Sequence, residues 1–276
     1  MPLATTILRE LFTRRGFDRV PEPDLVMDSA DAVAAFRRAA GPGGILSGVY
    51  AFYLEQASRM LRPGDRVLDL GCGPAVLLSS LARLHPGVQF VGVDLSDGML
   101  QASQGTTPAN VSVLLDDMCT LSTVDTGSVD VVLSSMALHH LPDAGHLRQC
   151  FAAIHRVLRK DGRVFVSDFG RLRNRKSIGY FVRRAIPPGE DVLARDYAAS
   201  LTAAFSLDDF RAALRDSQLG SRVSLYSTVV SPLMVTMLTP YPENADRIQL
   251  KRTLPRARWA DYSQLRWSLK LGGMPF

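Results

Sequence analysis

The run RVLDLGCGPAVLLSSLARLHPGVQFVGVDLS occupies Arg66–Ser96. It opens with an apolar stretch, RVLDL, that runs into Gly71 and Gly73. A helical pattern, AVLLSSLARLH, covers 75–85, and a second apolar stretch, QFVGVD, is closed by Asp94. Glycines between a strand and a helix let the chain turn tightly and let a ligand lie against bare backbone. In an open parallel sheet, ligands gather at the carboxyl ends of the strands. The stretch therefore reads as a cofactor site on a βαβ unit.

The chemistry of the site narrows the ligand. A dinucleotide turn has the form G-x-G-x-x-G and takes a pyrophosphate on the helix N-terminus. Here Val76 holds the third glycine position, and Asp69 stands two residues before Gly71. A carboxylate there repels a pyrophosphate and attracts a cation. No Gly-Lys-Ser/Thr follows, so a Walker loop is excluded. Asp94, 25 residues beyond Asp69, can accept from ribose hydroxyls, a role that by itself fits nicotinamide and other nucleoside cofactors equally.

Outward from this unit the alternation continues. Strands are predicted at 66–70, 89–94, 111–115, 129–135 and 163–169, with helices at 75–85, near 97–104 and at 145–159. Lys160-Asp161-Gly162 reads as a turn. Such alternation predicts an α/β, Rossmann-like, doubly wound sheet, mostly parallel and seven-stranded. Residues 170–204 read as basic and irregular around Pro187-Pro188-Gly189. A helix follows at 205–220, capped by Ser206 with Asp209 three residues on and ended by Gly220. An antiparallel hairpin is expected within 221–238, and Trp259, Tyr262 and Leu265 lie at helical spacing in the tail. The expected organisation is an N-terminal helical cap (1–64), a core (65–169), a substrate-cap insertion after strand five (170–204), completion of the core (205–240) and a C-terminal extension (241–276).

Composition bounds the setting. The chain has 276 residues, 46% of them hydrophobic, enough for a sizeable core. No apolar run reaches the length of a membrane span, and the N-terminal MPLATTILRELFTRRGF reads as an amphipathic helix rather than a signal. Cys72, Cys119 and Cys150 are too widely spaced for a disulfide framework or a zinc site, so a reduced cytoplasm is the expected location. The net charge of +5 is uneven, since residues 171–276 carry 17 Lys and Arg against 9 Asp and Glu. Basic surfaces attract phosphates, nucleic acid or acidic small molecules.

The pattern D-x-G-x-G at a strand end resembles motif I of the class I S-adenosylmethionine (SAM) methyltransferases. DLSDGML (94–100), LLDDMC (114–119), SMALHHLPD (135–143) and VLRKDGRVFVSDF (157–169) follow in that family's order. The last two resemble the ubiquinone/menaquinone-type group and its natural-product relatives. The likeness extends over about 45–240 and is specific over 66–169. Ala75 replaces the glycine of the fuller family pattern. The resemblance implies a SAM site formed by Asp69, Gly71, Cys72, Gly73, Asp94, Leu95, Met99, Asp117, Met118 and Ser134, with Asp116 an alternative to Asp117. S-adenosylhomocysteine is the implied product.

The implied reaction is an in-line SN2 methyl transfer to an O, N or C nucleophile. A hydroxyl nucleophile needs a base, and a neutral imidazole is available at pH 7. The resemblance implies His139 as that base and Asp168 as its orienter or as a substrate acceptor, with His140 in reserve. No acid pair follows strand four, so no metal is expected. Tyr50, Tyr53, Arg173 and Tyr180 are the candidates on the substrate side. The expected acceptor is a small molecule, acidic or hydroxylated, in bacterial secondary or cofactor metabolism. No RNA-binding motif accompanies the basic part. A homodimer, a lid role for the tail, a SAM-binding cyclase or pseudoenzyme, and an RNA-associated methyltransferase using 171–276 all remain open to the sequence.

Overall fold

Each apolar run read as extended becomes a strand in the structure, a computed structural model that describes residues 3–275 apart from 15, 24–28, 42, 230, 244–247 and 249–254. The strands are β1 (Arg66–Leu70), β2 (Gln89–Asp94), β3 (Val111–Leu115), β4 (Val129–Ser135), β5 (Leu158–Phe169), β6 (Ser224–Ser227) and β7 (Met234–Leu238). They form one sheet in the order β3-β2-β1-β4-β5-β7-β6. β1 pairs in parallel with both β2 and β4, and at the far end β7 pairs antiparallel with both β5 and β6, so β7 alone runs against the other six strands. The chain leaves β1 toward β2 and β3, then returns to the other side of β1 as β4. That reversal opens a crevice above the carboxyl ends of β1 and β4, where a doubly wound sheet holds its ligand.

Among the described residues the helices are α1 (Leu3–Phe12), α2 (Ala30–Ala40), α3 (Ser47–Ser58), α4 (Val76–Leu84), α5 (Asp97–Ser103), α6 (Ala144–Val157), α7 (Arg175–Ala185), α8 (Asp191–Ala203), α9 (Leu207–Asp216) and α10 (Trp259–Leu271). Two apolar clusters cover the two faces of the sheet. Phe52, Tyr53, Leu78 and Phe165 belong to one, and Leu70, Phe151, Ile154 and Phe210 to the other. No described helix is long and apolar enough to cross a membrane.

Three local readings are corrected. The segment 170–204 is helical: α7 and α8 flank Pro187-Pro188-Gly189, which forms the corner between them. The side chain of Asn174 caps α7 by accepting from the Lys176 N–H at 3.0 Å. Proline therefore separates two helices here instead of abolishing them. The turn read at 160–162 lies inside β5, whose pairing with β4 shifts register between Val129 and Val131. Finally, α9 stops at Asp216 and Gln218, at φ 65°, takes the left-handed position expected of Gly220. The Ser206–Asp209 capping box is present as read.

The tail packs on α3. The Tyr262 hydroxyl donates to Glu55, and Gly48 of α3 faces the Arg258 carbonyl so closely that a Cβ there would sit 2.9 Å from it. Trp259 and Trp267 stay exposed at 39% and 62%.

Candidate functional site

The glycine turn is built from left-handed residues. Gly71, Gly73 and Ala75 have φ of 67°, 53° and 54°. A Cβ on Gly71 would lie 2.3 Å from the Ala137 Cβ, so glycine is required both for the backbone and for the close approach. Ala75 tolerates the same conformation at a strain of about 1–2 kcal/mol, which explains why a glycine suits that position. The Gly71 and Cys72 N–H groups both donate to the Val93 carbonyl, at 2.8 and 3.0 Å, and so pin the turn to β2.

Two carboxylates face the crevice. Asp94 accepts from the Gly73 N–H at 2.8 Å and the Ser96 N–H at 2.9 Å. Asp69 is 3% exposed, and its Oδ1 has no hydrogen-bond partner. Burial, reinforced by the charge of Asp94, pushes the Asp69 carboxyl up to about 7. Burial and the same two acids also raise the Cys72 thiol, so it is no thiolate nucleophile. Around these groups lies a cavity of about 210 Å³. It is bordered by Asp69, Gly71, Cys72, Gly73, Asp94, Leu95, Met99, Asp117 and Met118, nine of the ten residues singled out for a cofactor. Ser134 is the exception: its hydroxyl donates to the Leu70 carbonyl at 3.0 Å, and Ser135 borders the cavity instead. Asp116 is occupied in holding the loop through the hydroxyls and N–H groups of Ser122 and Thr123.

The histidines lie at the end of β4, where Met136 takes a left-handed φ of 51° and a short turn, Leu138–His140, begins. Asp168 of β5 is fully buried. It accepts from the main-chain N–H groups of Leu138, His139 and Phe169, and lies 2.7 Å from His139 Nδ1. A carboxylate holding three N–H donors acts as an acceptor toward the imidazole as well. In the neutral form of His139 this arrangement places the ring proton on Nδ1 and leaves the lone pair on Nε2. Asp168 has no oxygen left for a substrate, so it positions His139 and does not bind an acceptor.

Glu22 completes this group from the N-terminal segment. Its carboxylate is 3.9 Å from His139 Nε2 and 2.6 Å from His140 Nδ1, and it accepts from the Ser200 hydroxyl at 2.8 Å. Burial acts against ionisation of both partners. The pairing outweighs it, lowering the Glu22 carboxyl and raising the His140 imidazole. Glu22, His139 and His140 bring one ligand-type atom each within 4.8 Å of one another. The guanidinium of Arg19 donates to the carbonyls of His139, Leu141, Pro142 and Ala203 and lies 4.0 Å over the Phe205 ring. Neither residue belongs to a motif. Arg19 and Glu22 reach the site across more than 100 positions of sequence, and nothing in FDRVPEP signals it.

A second cavity, of about 560 Å³, opens beside the first and shares Phe36, Met136 and His140 with it. His139 borders this second space. Of the substrate-side candidates, Tyr50 borders the first cavity, and Tyr53, Arg173 and Tyr180 border neither. Tyr53 is core, edge-on to Phe52 and Phe165. Arg173 is spent on α1, its N–H donating to Glu10 Oε2 at 2.8 Å and its guanidinium to the Glu10 carbonyl. Tyr180 is buried edge-on against Phe181, and Phe181 is the residue that reaches the cavity.

Residues 67–162 match the sequence family described as "Methyltransferase domain". The chain is 36% identical over 111 residues to a ubiquinone biosynthesis O-methyltransferase of Cupriavidus pinatubonensis, covering 39% of this chain and 43% of that protein. It is 30% identical over 167 residues to the 27-O-demethylrifamycin SV methyltransferase of Amycolatopsis mediterranei, covering 58% and 55%. The chain thus spans only about half the length of these curated relatives. A crystal structure of a SAM-dependent methyltransferase from Aquifex aeolicus superposes with a TM-score of 0.53 at 16% identity, over 75% of this chain and 97% of that one, and shares the fold.

Proposed function

We propose that the protein is a class I methyltransferase that moves a methyl group from SAM to an O, N or C nucleophile of a small molecule in bacterial secondary or cofactor metabolism, a reading supported by the methyltransferase-domain match over 67–162 and by the likeness to ubiquinone and rifamycin methyltransferases. Asp69 is the observation that carries this reading. It offers a buried carboxylate oxygen without a partner at the cofactor crevice. Such a group demands a cation, and the ammonium of SAM is one; the pyrophosphate of a dinucleotide is not. Asp94 suits the ribose hydroxyls, and Asp117 with Met118 the adenine edge, with Leu95 and Met99 flanking the nucleoside.

When bound, the cofactor supplies a sulfonium methyl as electrophile and leaves as a neutral thioether. The chain's own residues orient and deprotonate. His140, Met136 and Phe36 stand where the two cavities meet, which is where an acceptor must present its nucleophile in line. His139 Nε2 takes the proton of an acceptor hydroxyl as the O–C bond forms. Asp168 holds the tautomer that makes this lone pair available, and Glu22 lies close enough to steady the resulting imidazolium.

Calorimetric titration with SAM, S-adenosylhomocysteine and NAD tests the reading. The expected result is micromolar binding of the first two, absent for NAD and lost in Asp94→Ala. NAD binding, or SAM binding indifferent to Asp94→Ala in a folded protein, overturns it.

A further inference from the structure

The second cavity has an electrostatic feature that methyl transfer does not use. Its walls are largely apolar, with Leu46, Val49, Phe169, Phe181, Tyr197 and Met234 among them. The charged groups on those walls are Glu10, Arg184, Asp196, Arg258 and Asp261, together with His139 and His140. Most are paired. Glu10 accepts the N–H groups of Arg173 and Asn174, Arg184 donates to Gln264, and Arg258 lies 3.5 Å from Asp261. Asp196 differs: its Oδ2 is buried and has no hydrogen-bond partner. It stands on α8 one turn before Ser200, whose hydroxyl donates to Glu22. Burial, and after it the charge of Glu22, raises the Asp196 carboxyl against the smaller opposing pull of Arg195 and His140.

An orphaned carboxylate oxygen on an apolar wall, with a second carboxylate nearby, is unfavourable until a donor arrives. A carboxylate or phosphate on the acceptor would worsen it. An ammonium would relieve it, because a charge-assisted N–H···O bond in a partly buried site is among the stronger polar contacts. Of the basic residues in 171–185 only Arg184 reaches this wall, where it is exposed to solvent and donates to Gln264, while Arg171 pairs with Asp209 and Arg173 is bound to α1. Resting on the methyltransferase reading above, the geometry points to a bulky apolar acceptor that carries a protonated amine, held by Asp196, with its nucleophile at the His139–His140 end of the cavity. The amine is a handle that orients the acceptor. This replaces the acidic acceptor expected from the net charge.

The test uses the full chain loaded with S-adenosylhomocysteine and three probes of one shape: naphthylmethylamine, naphthylmethanol and naphthoate. Calorimetry at neutral pH is expected to show the amine binding roughly tenfold or more tighter than the alcohol, with naphthoate weakest. Asp196→Asn abolishes the preference for the amine, and Asp196→Glu retains most of it. Absence of amine binding, equal binding of amine and alcohol, or a preference that survives Asp196→Asn overturns the inference. The same titrations report S-adenosylhomocysteine binding separately. A chain that binds S-adenosylhomocysteine without amine selectivity leaves the methyltransferase reading standing alone. A chain with Asp196-dependent selectivity that ignores S-adenosylhomocysteine loses that reading and keeps the cavity's.

Discussion

Replacing Asp69 by Asn opposes stability to function at one atom. In the free protein burial and Asp94 hold the Asp69 carboxyl at about 7 instead of 3.8. At 1.36 kcal/mol per pH unit, ionising it inside the fold costs about 4 kcal/mol. The folded state binds the extra proton, so stability falls as pH rises from about 4 to about 7, and the full loss is present above that. Asn removes the charge but leaves a buried amide, which keeps part of the desolvation penalty. A gain of about 2 kcal/mol at pH 8 is therefore expected, seen as a rise in Tm of roughly 5 °C. The gap narrows toward pH 4 and closes below it, where the wild-type carboxyl is protonated in both states. The same substitution removes the negative charge that would pair with the cofactor ammonium, and SAM affinity drops on the order of 100-fold. Thermal melts across pH and calorimetry with SAM read the two effects. A variant melting at or below wild type at pH 8, with SAM affinity intact, refutes the reasoning.

Three further outcomes follow from the site. His139→Ala lowers turnover on the order of 100-fold while calorimetric affinity for S-adenosylhomocysteine stays unchanged; equal turnover removes the histidine from the mechanism. Gly71→Ala strains a left-handed backbone by about 1–2 kcal/mol and drives a Cβ to 2.3 Å from Ala137, so urea unfolding shifts to lower concentration and SAM binding is lost together. Arg19→Ala leaves the carbonyls of His139, Leu141, Pro142 and Ala203 without their shared donor, with a stability loss of about 2–3 kcal/mol by denaturant melt and a KM for acceptor that rises more than kcat falls.

The sheet and most of the residues lining the crevice above β1 and β2 were legible in local sequence. Short apolar runs and the glycine turn are local signals, and a turn of left-handed residues beside Asp69 and Asp94 requires only that β1 and β2 be neighbours. Local signals also carried the capping box at Ser206 and the helical spacing of the tail. They failed where two facing residues of a strand had to be told apart, as with Ser134 and Ser135, and where proline joined two helices instead of marking a loop. The surroundings of the histidines and of the second cavity came only from long-range packing. Asp168 became a positioning group because three N–H donors converge on it. Arg19, Glu22 and Asp196 reached the histidines and the second cavity from helices and segments that share no motif. Tyr53, Arg173 and Tyr180 were drawn into packing and into the α1 contact. Backbone propensity and spacing act over a few residues, whereas the orphaning of a carboxylate depends on everything that folds against it.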